Sequence, residues 1–170
     1  MINENFPLLI SEISLNYKFI INHNAGKGKL KSNLDSLLYK IRKHIPDYDY
    51  CITESINDLE KCAMSIQKYD VIVSVGGDGT INGILNKIIG KNVTLGILPV
   101  GSGNDLAYSL DIPKDIDSAL ETLKAVNTKL IDVGFVRTDK FERLFVNAVG
   151  IGFDAMVAER TNRINMLPNA

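Results

Sequence analysis

Three glycine-bearing turns carry the residues of this sequence that are best placed to do chemistry. The first to stand out is Gly76-Gly77-Asp78-Gly79-Thr80, which follows the apolar run 71–75 and precedes a segment with helical spacing. Glycines let the backbone approach a ligand closely, and a helix start offers unpaired N–H groups and the positive end of a dipole. That combination holds phosphate. Thr80 can cap the helix or donate to a phosphate oxygen, and Asp78 is the one carboxylate in the turn. No Gly-Lys-Ser/Thr follows, so the turn is not a Walker A loop, and the G-x-G-x-x-G spacing of a dinucleotide fingerprint is absent. A second turn, Pro99-Val100-Gly101-Ser102-Gly103-Asn104-Asp105, again links an apolar run to a helical segment. Ser102 offers a hydroxyl there, and Asn104 or Asp105 can cap the helix. A third turn, Asn22-His23-Asn24-Ala25-Gly26-Lys27-Gly28-Lys29, follows the first apolar run. Its lysines either meet phosphates or, with Lys31, form a solvated basic face. Three such turns on one edge point to a polyphosphate ligand. Without chemistry, Asp78 reads as a helix cap.

Elements must bring these turns together. Residues 17–22, 48–53, 71–75 and 94–98 read as strands by their apolar and β-branched content. Helical spacing predicts helices over 31–43, 58–67, 81–89, 104–109 and 116–125. Strands alternating with helices predict an α/β domain over 17–128 with a largely parallel sheet, and ligands of such sheets bind at the carboxyl ends of the strands. Residues 1–16 show no clear period and read as a short helix or a loose arm. After Lys129 the texture changes: 130–137 and 143–150 predict an antiparallel hairpin, the incomplete start, over 129–170, of a second β-rich domain.

Composition limits the function classes. The chain has 170 residues, 45% of them hydrophobic, and a formal charge of -1, which argues against a nucleic-acid partner. Cys51 and Cys62 do not make a disulfide framework and read as reduced packing residues. No basic-then-apolar leader and no long apolar run are present, so the expectation is a cytoplasmic protein, peripheral to a membrane at most.

The string GGDGTIN at 76–82 and LGILPVGSGNDLA at 95–107 resemble the catalytic fold of diacylglycerol kinases, the bacterial lipid kinases related to sphingosine and ceramide kinases. The resemblance takes in the turn at 22–29, Thr53, Ile131-Asp132-Val133-Gly134 and residues 145–155. It implies a parallel-sheet nucleotide-binding domain of the NAD kinase/diacylglycerol kinase type, using ATP and Mg²⁺ to phosphorylate a lipid hydroxyl. The lipid, diacylglycerol-like or sphingoid, would be met at a membrane surface. Carried over by residue, the nucleotide contacts are Asn22, His23, Asn24, Ala25, Gly26, Thr53, Gly76, Gly77, Asp78, Gly79, Thr80, Ile81, Asn82 and Ser102. The resemblance implies Asp78 as catalytic carboxylate: it activates the acceptor, holds Mg²⁺, or orients a ribose or hydroxyl. In the bacterial branch, the proposed base lies in the second domain instead. The sequence departs from the family at His23, usually Pro, at Ala25, usually Ser, and at Gly83, usually Glu in bacterial members; His23 itself reads as a plain surface residue.

Members of this family have a second β-rich domain and span about 300 residues, two domains' worth. The expectation is therefore a partial chain with weak nucleotide binding, little or no lipid turnover, and a homodimer formed through the orphan hairpin. Two other readings remain: an NAD-kinase-like enzyme, which shares GGDGT, and a non-catalytic nucleotide-binding module. The Pro-x-Gly-Ser-x-Asn-Asp turn fits the lipid-kinase branch better than the NAD-kinase one.

Overall fold

Four β-branched-rich segments build the centre of the molecule: β1 (Tyr17–Asn22), β2 (Tyr48–Thr53), β3 (Val71–Gly76) and β4 (Thr94–Pro99). They form one parallel sheet in the order β2-β1-β3-β4. The computed structural model describes residues 15–165. The arm or helix expected before Leu15 lies outside the described residues.

The strands of β1 and β3 are buried on both faces, as unbroken apolar runs require. On one face Phe19, Ile21, Val73 and Val75 pack against α2 (Leu34–His44) and α6 (Ile116–Lys124) through Leu37, Ile41, Ala119 and Leu120. On the other, Ile20 and Ile72 meet α3 (Ile56–Ala63) and α4 (Asp78–Ile88) through Cys62, Ile84 and Ile88. A third cluster joins α4 to β4 and to the short helix α5 (Asp105–Ser109). Ser74 Oγ, fully buried in β3, has no hydrogen-bond partner.

Helix limits differ from the sequence expectation for local reasons. The segment predicted as one helix over 31–43 is split into α1 (Lys29–Ser32) and α2, because the Asn33 side chain donates to the Lys29 carbonyl and takes the backbone out of the helix. The helix predicted over 58–67 ends at Ala63, and a short 3₁₀ turn at Ile66–Lys68 follows. Helix α4 begins at Asp78, three residues before its apolar periodicity does.

The two cysteines are a correction. Cys51 on β2 and Cys62 on α3 are joined as a disulfide, their Cα atoms 6.0 Å apart, within bridging range. Packing of α3 back over β2 brings the sulfurs together, which spacing along the chain does not reveal. Cys62 is nonetheless a packing residue, buried in the second cluster.

The expected hairpin is present but shorter: β5 (Gly134–Arg137) pairs antiparallel with β6 (Glu142–Phe145), and α7 (Phe153–Asn165) follows. The predicted second strand stops early because Asn147 takes φ 80, which ends extended backbone. Beside the outer edge of β4 lies an apolar cavity of about 710 Å³, lined among others by Leu85, Ile97, Leu123 and Val133. No helix of the described residues is long and apolar enough to cross a membrane.

Candidate functional site

The strand order fixes where a ligand can sit. From β1 the chain crosses outward to β2, while from β3 it crosses the other way to β4. The loops leaving β1 and β3 therefore diverge at a topological switch point, where open parallel sheets bind ligands. The turns after β1 and β3 are these two loops. The turn after β4 lies beside them.

The turns touch one another through backbone. A β-carbon on Gly101 would lie 2.3 Å from the Gly77 Cα, so the second and first glycine turns meet only because neither has a side chain there. Gly26 has φ 62, and a β-carbon on it would lie 2.9 Å from the Val100 carbonyl oxygen. The Val100 N–H donates to the Gly76 carbonyl at 3.2 Å. Asn104, itself at φ 62, clamps the tip of its turn: its Oδ1 accepts the Gly101 N–H and its Nδ2 donates to the Gly101 carbonyl, both at 2.9 Å. Ser102 is exposed at that tip.

Asparagine and threonine tie the β1 loop to α4. Asn22 Oδ1 accepts the Asn24 N–H at 3.0 Å, and Asn22 Nδ2 donates to Thr80 Oγ1 at 2.9 Å. Thr80 is thus inside the first turn of α4 and does not cap it; Gly77 stands at the N-cap without a side chain to offer. The helix consequently keeps its leading N–H groups free of a side-chain cap.

Asp78 stands at the start of α4 but does not cap it. Its carboxylate caps a neighbouring helix, α5. Oδ2 accepts the Asp105 N–H at 3.2 Å, and Oδ1 accepts the Leu106 N–H at 3.1 Å and Asn147 Nδ2 at 3.3 Å. Neither Asn104 nor Asp105 makes a side-chain cap on α5. Asp78 and Asp105 both flank Gly103, whose β-carbon position is 3.2 Å from Asp78 Oδ2 and 3.6 Å from Asp105 Oδ1.

His23 is not a plain surface residue. Its side chain is 15% exposed, and Nδ1 lies 2.6 Å from Glu54 Oε1. The Thr53 carbonyl accepts the His23 N–H at 3.0 Å, while the buried Thr53 hydroxyl donates back to Ile21. The Glu54 carbonyl accepts Asn24 Nδ2. Sequence reading missed Glu54 and the Ser55/Asp58 capping box that fixes it, although Ser-x-x-Asp before an apolar stretch is a helix-start signal. The Ser55 hydroxyl and the Glu54 amide hold Asp58's carboxyl below its ordinary range.

Of the expected contacts, Asn22, His23, Asn24, Gly26, Gly76, Gly77, Asp78, Gly79, Thr80 and Ser102 all belong to the three converging turns. Ala25 is buried in the first core cluster and Ile81 in the third, so their side chains pack the core and leave only backbone for a ligand. Asn82 Oδ1 accepts the Val146 N–H at 3.2 Å, a tie to the segment after β6. Lys27, Lys29 and Lys31 are exposed beside the β1 loop. No cluster of three metal-ligating side chains occurs among the described residues. The 710 Å³ cavity is not this site, since none of its lining residues belongs to the turns.

Comparison with known proteins agrees with this geometry. The family model described as diacylglycerol kinase catalytic domain matches residues 16–136. Diacylglycerol kinases of Staphylococcus saprophyticus and of Staphylococcus aureus strain bovine RF122 are each 32% identical over 148 residues, covering 85% of this chain. The chain spans just under half of those relatives, 47% and 46%. A crystal structure of a diacylglycerol kinase from Bacillus anthracis str. Sterne superposes with a TM-score of 0.60 at 30% identity, over 69% of this chain and 42% of that one. A second structure from the same organism gives a TM-score of 0.61 at 30% identity, over 69% of this chain and 41% of that one. By fold, by the spacing of its glycine turns and by these likenesses, the chain belongs to the diacylglycerol kinase catalytic-domain family.

Proposed function

We propose that this chain is the nucleotide-binding lobe of an ATP-dependent lipid kinase that transfers the γ-phosphate to a lipid hydroxyl at a membrane surface. The observation that carries the reading is the meeting of three glycine turns, backbone against backbone, at the switch point of a parallel sheet. The uncapped start of α4 supplies N–H groups to a phosphate, and the helix dipole adds to their pull. Lys27 and Lys29 stand at the rim as counter-charges. The pairing of His23 with Glu54 fixes the β1 loop on the far side of the same opening.

The donor set fits Mg²⁺ as a companion of the nucleotide. Magnesium in such sites is held by phosphates and one or two carboxylates, without a protein cage. Asp78 and Asp105, the two carboxylates flanking Gly103, are the residues that would share it. Bound there, the metal would neutralise phosphate charge as the phosphoryl group moves. Asp78 already accepts three hydrogen bonds, which favours a role in orienting the second turn over one as acceptor base. The base and the lipid pocket then fall to residues beyond the nucleotide lobe.

Calorimetric titration with Mg·ADP tests the reading. Saturable binding is expected, and phosphate from ATP should appear in diacylglycerol, not in NAD, when a chain of the relatives' length is assayed with mixed micelles. A sample with dispersed amide resonances that takes up no Mg·ADP would overturn it.

A further inference from the structure

Helix α4 carries a polar stripe that the nucleotide reading does not absorb. Asp78, Asn82 and Asn86 stand four residues apart, on one helix face. Each bonds the chain around the end of β6. Asn86 Oδ1 accepts the Leu144 N–H at 3.0 Å, and Asn86 Nδ2 donates to the Leu144 carbonyl at 2.8 Å. Asn82 Oδ1 accepts the Val146 N–H at 3.2 Å. Asp78 Oδ1 accepts Asn147 Nδ2 at 3.3 Å. The helix face thus replaces a neighbouring strand along 144–147. Val146 is buried between the bonds, in the cluster that holds Ile81, Leu85 and Leu106. Asn147 makes this contact from left-handed backbone, φ 80, a conformation asparagine tolerates better than most side chains.

We infer that Asn147 is a positioning residue for the nucleotide site. It holds the Asp78 carboxylate in the rotamer that caps α5, so that the second glycine turn is set only when the β5–β6 unit is seated on α4. The last bond of the stripe links that unit to the Asp105 and Leu106 amides directly behind Ser102 and Gly103. The inference rests on the nucleotide reading for its functional half and on the hydrogen bonds alone for its structural half.

The test uses the 170-residue protein and four variants. Asn147→Gly keeps the left-handed backbone and removes the side chain; Asn147→Asp sets a second carboxylate against Asp78. Asp78→Asn and the double variant Asp78→Asn/Asn147→Asp exchange donor and acceptor. With Mg·ADP, Asn147→Gly should weaken binding about tenfold, the worth of one hydrogen bond to a charged group, and Asn147→Asp should weaken it further. On the Asp78→Asn background the same Asn147→Asp change should cost no further affinity, because no second carboxylate then faces it, a coupling that two independent effects would not produce. Equal weakening on both backgrounds, or no change on either, overturns the inference. If the unaltered protein takes up no Mg·ADP, the nucleotide reading falls. The structural half is then judged on the amide resonances of Asp105 and Leu106: movement in Asn147→Gly supports the contact, and unmoved resonances refute it.

Discussion

The parallel-sheet region and the hairpin-helix region of this chain hold themselves together in different ways. In the first, β1 and β3 are sealed between helices on both faces, and nearly all the buried apolar side chains among the described residues lie there. In the second, Ile151 is 84% and Phe153 77% exposed, and among the described residues Val146 alone is buried apolar surface. What fixes the hairpin is polar: the asparagines of α4 pair with backbone near β6 as a strand would. One region makes its own core, and the other borrows a partner. Rigidity should follow the same division, because local stability tracks buried contacts.

The largest expected effect comes from the place where the three turns meet. Gly101→Ala puts a β-carbon against the Gly77 backbone, which has no side chain to move aside. We expect a loss of about 3 kcal/mol or more, by denaturant titration, and loss of measurable Mg·ADP binding. Unchanged binding would mean that the turns can part without consequence.

Next is the contrast between cores. Ile72→Ala empties a fully buried site in β3 and should cost about 2–5 kcal/mol. Phe153→Ala removes a larger side chain from the exposed start of α7 and should change stability by no more than about 0.5 kcal/mol. Equal costs in chemical denaturation would erase the distinction between the regions.

A smaller change sharpens it. Asn86→Ala should free β6 with a local cost of about 1–2 kcal/mol, read as faster hydrogen exchange at the Leu144 and Val146 amides. The amides of β1 and β3 should keep their protection. A global rise in exchange would instead show one cooperative unit.

The smallest effect is acid lability of the helix starts in the first region. Asp58 is held below its ordinary value of 3.8 by the Ser55 hydroxyl, Asp115 by the Ser118 amide, and Asp117 by Lys40 and then His44. Folded values below unfolded ones mean stability that is present above pH 3.8 and lost as pH falls through the lower folded values. The melting temperature should therefore drop below pH 3.8, and Asp58→Asn with Asp115→Asn should start lower and flatten that drop.

Much of this was legible residue by residue. The strands at 17–22 and 48–53 are found where β-branched and aromatic residues run together, and the glycine turns follow β1, β3 and β4. A turn is a local event, so its chemistry is written in a few consecutive residues. The partial likeness to longer relatives was likewise visible in the two glycine motifs and their order. Less legible were the break at Asn33, where a side chain competes with the helix, and the early end of β6, where Asn147 turns left-handed.

Sequence alone therefore determined the α/β class, the sheet segments and the three turns, because periodicity and glycine chemistry act over short stretches. Tertiary structure alone decided which distant partners the polar side chains in and around those turns bind. Asp78 reaches 27 to 69 residues along the chain for its three donors. Cys51 finds Cys62 across a helix-strand contact, and His23 finds Glu54 across the sheet edge. Such partners are set by how helices pack on the sheet, and a hydrogen bond between distant residues leaves no period in the sequence to read.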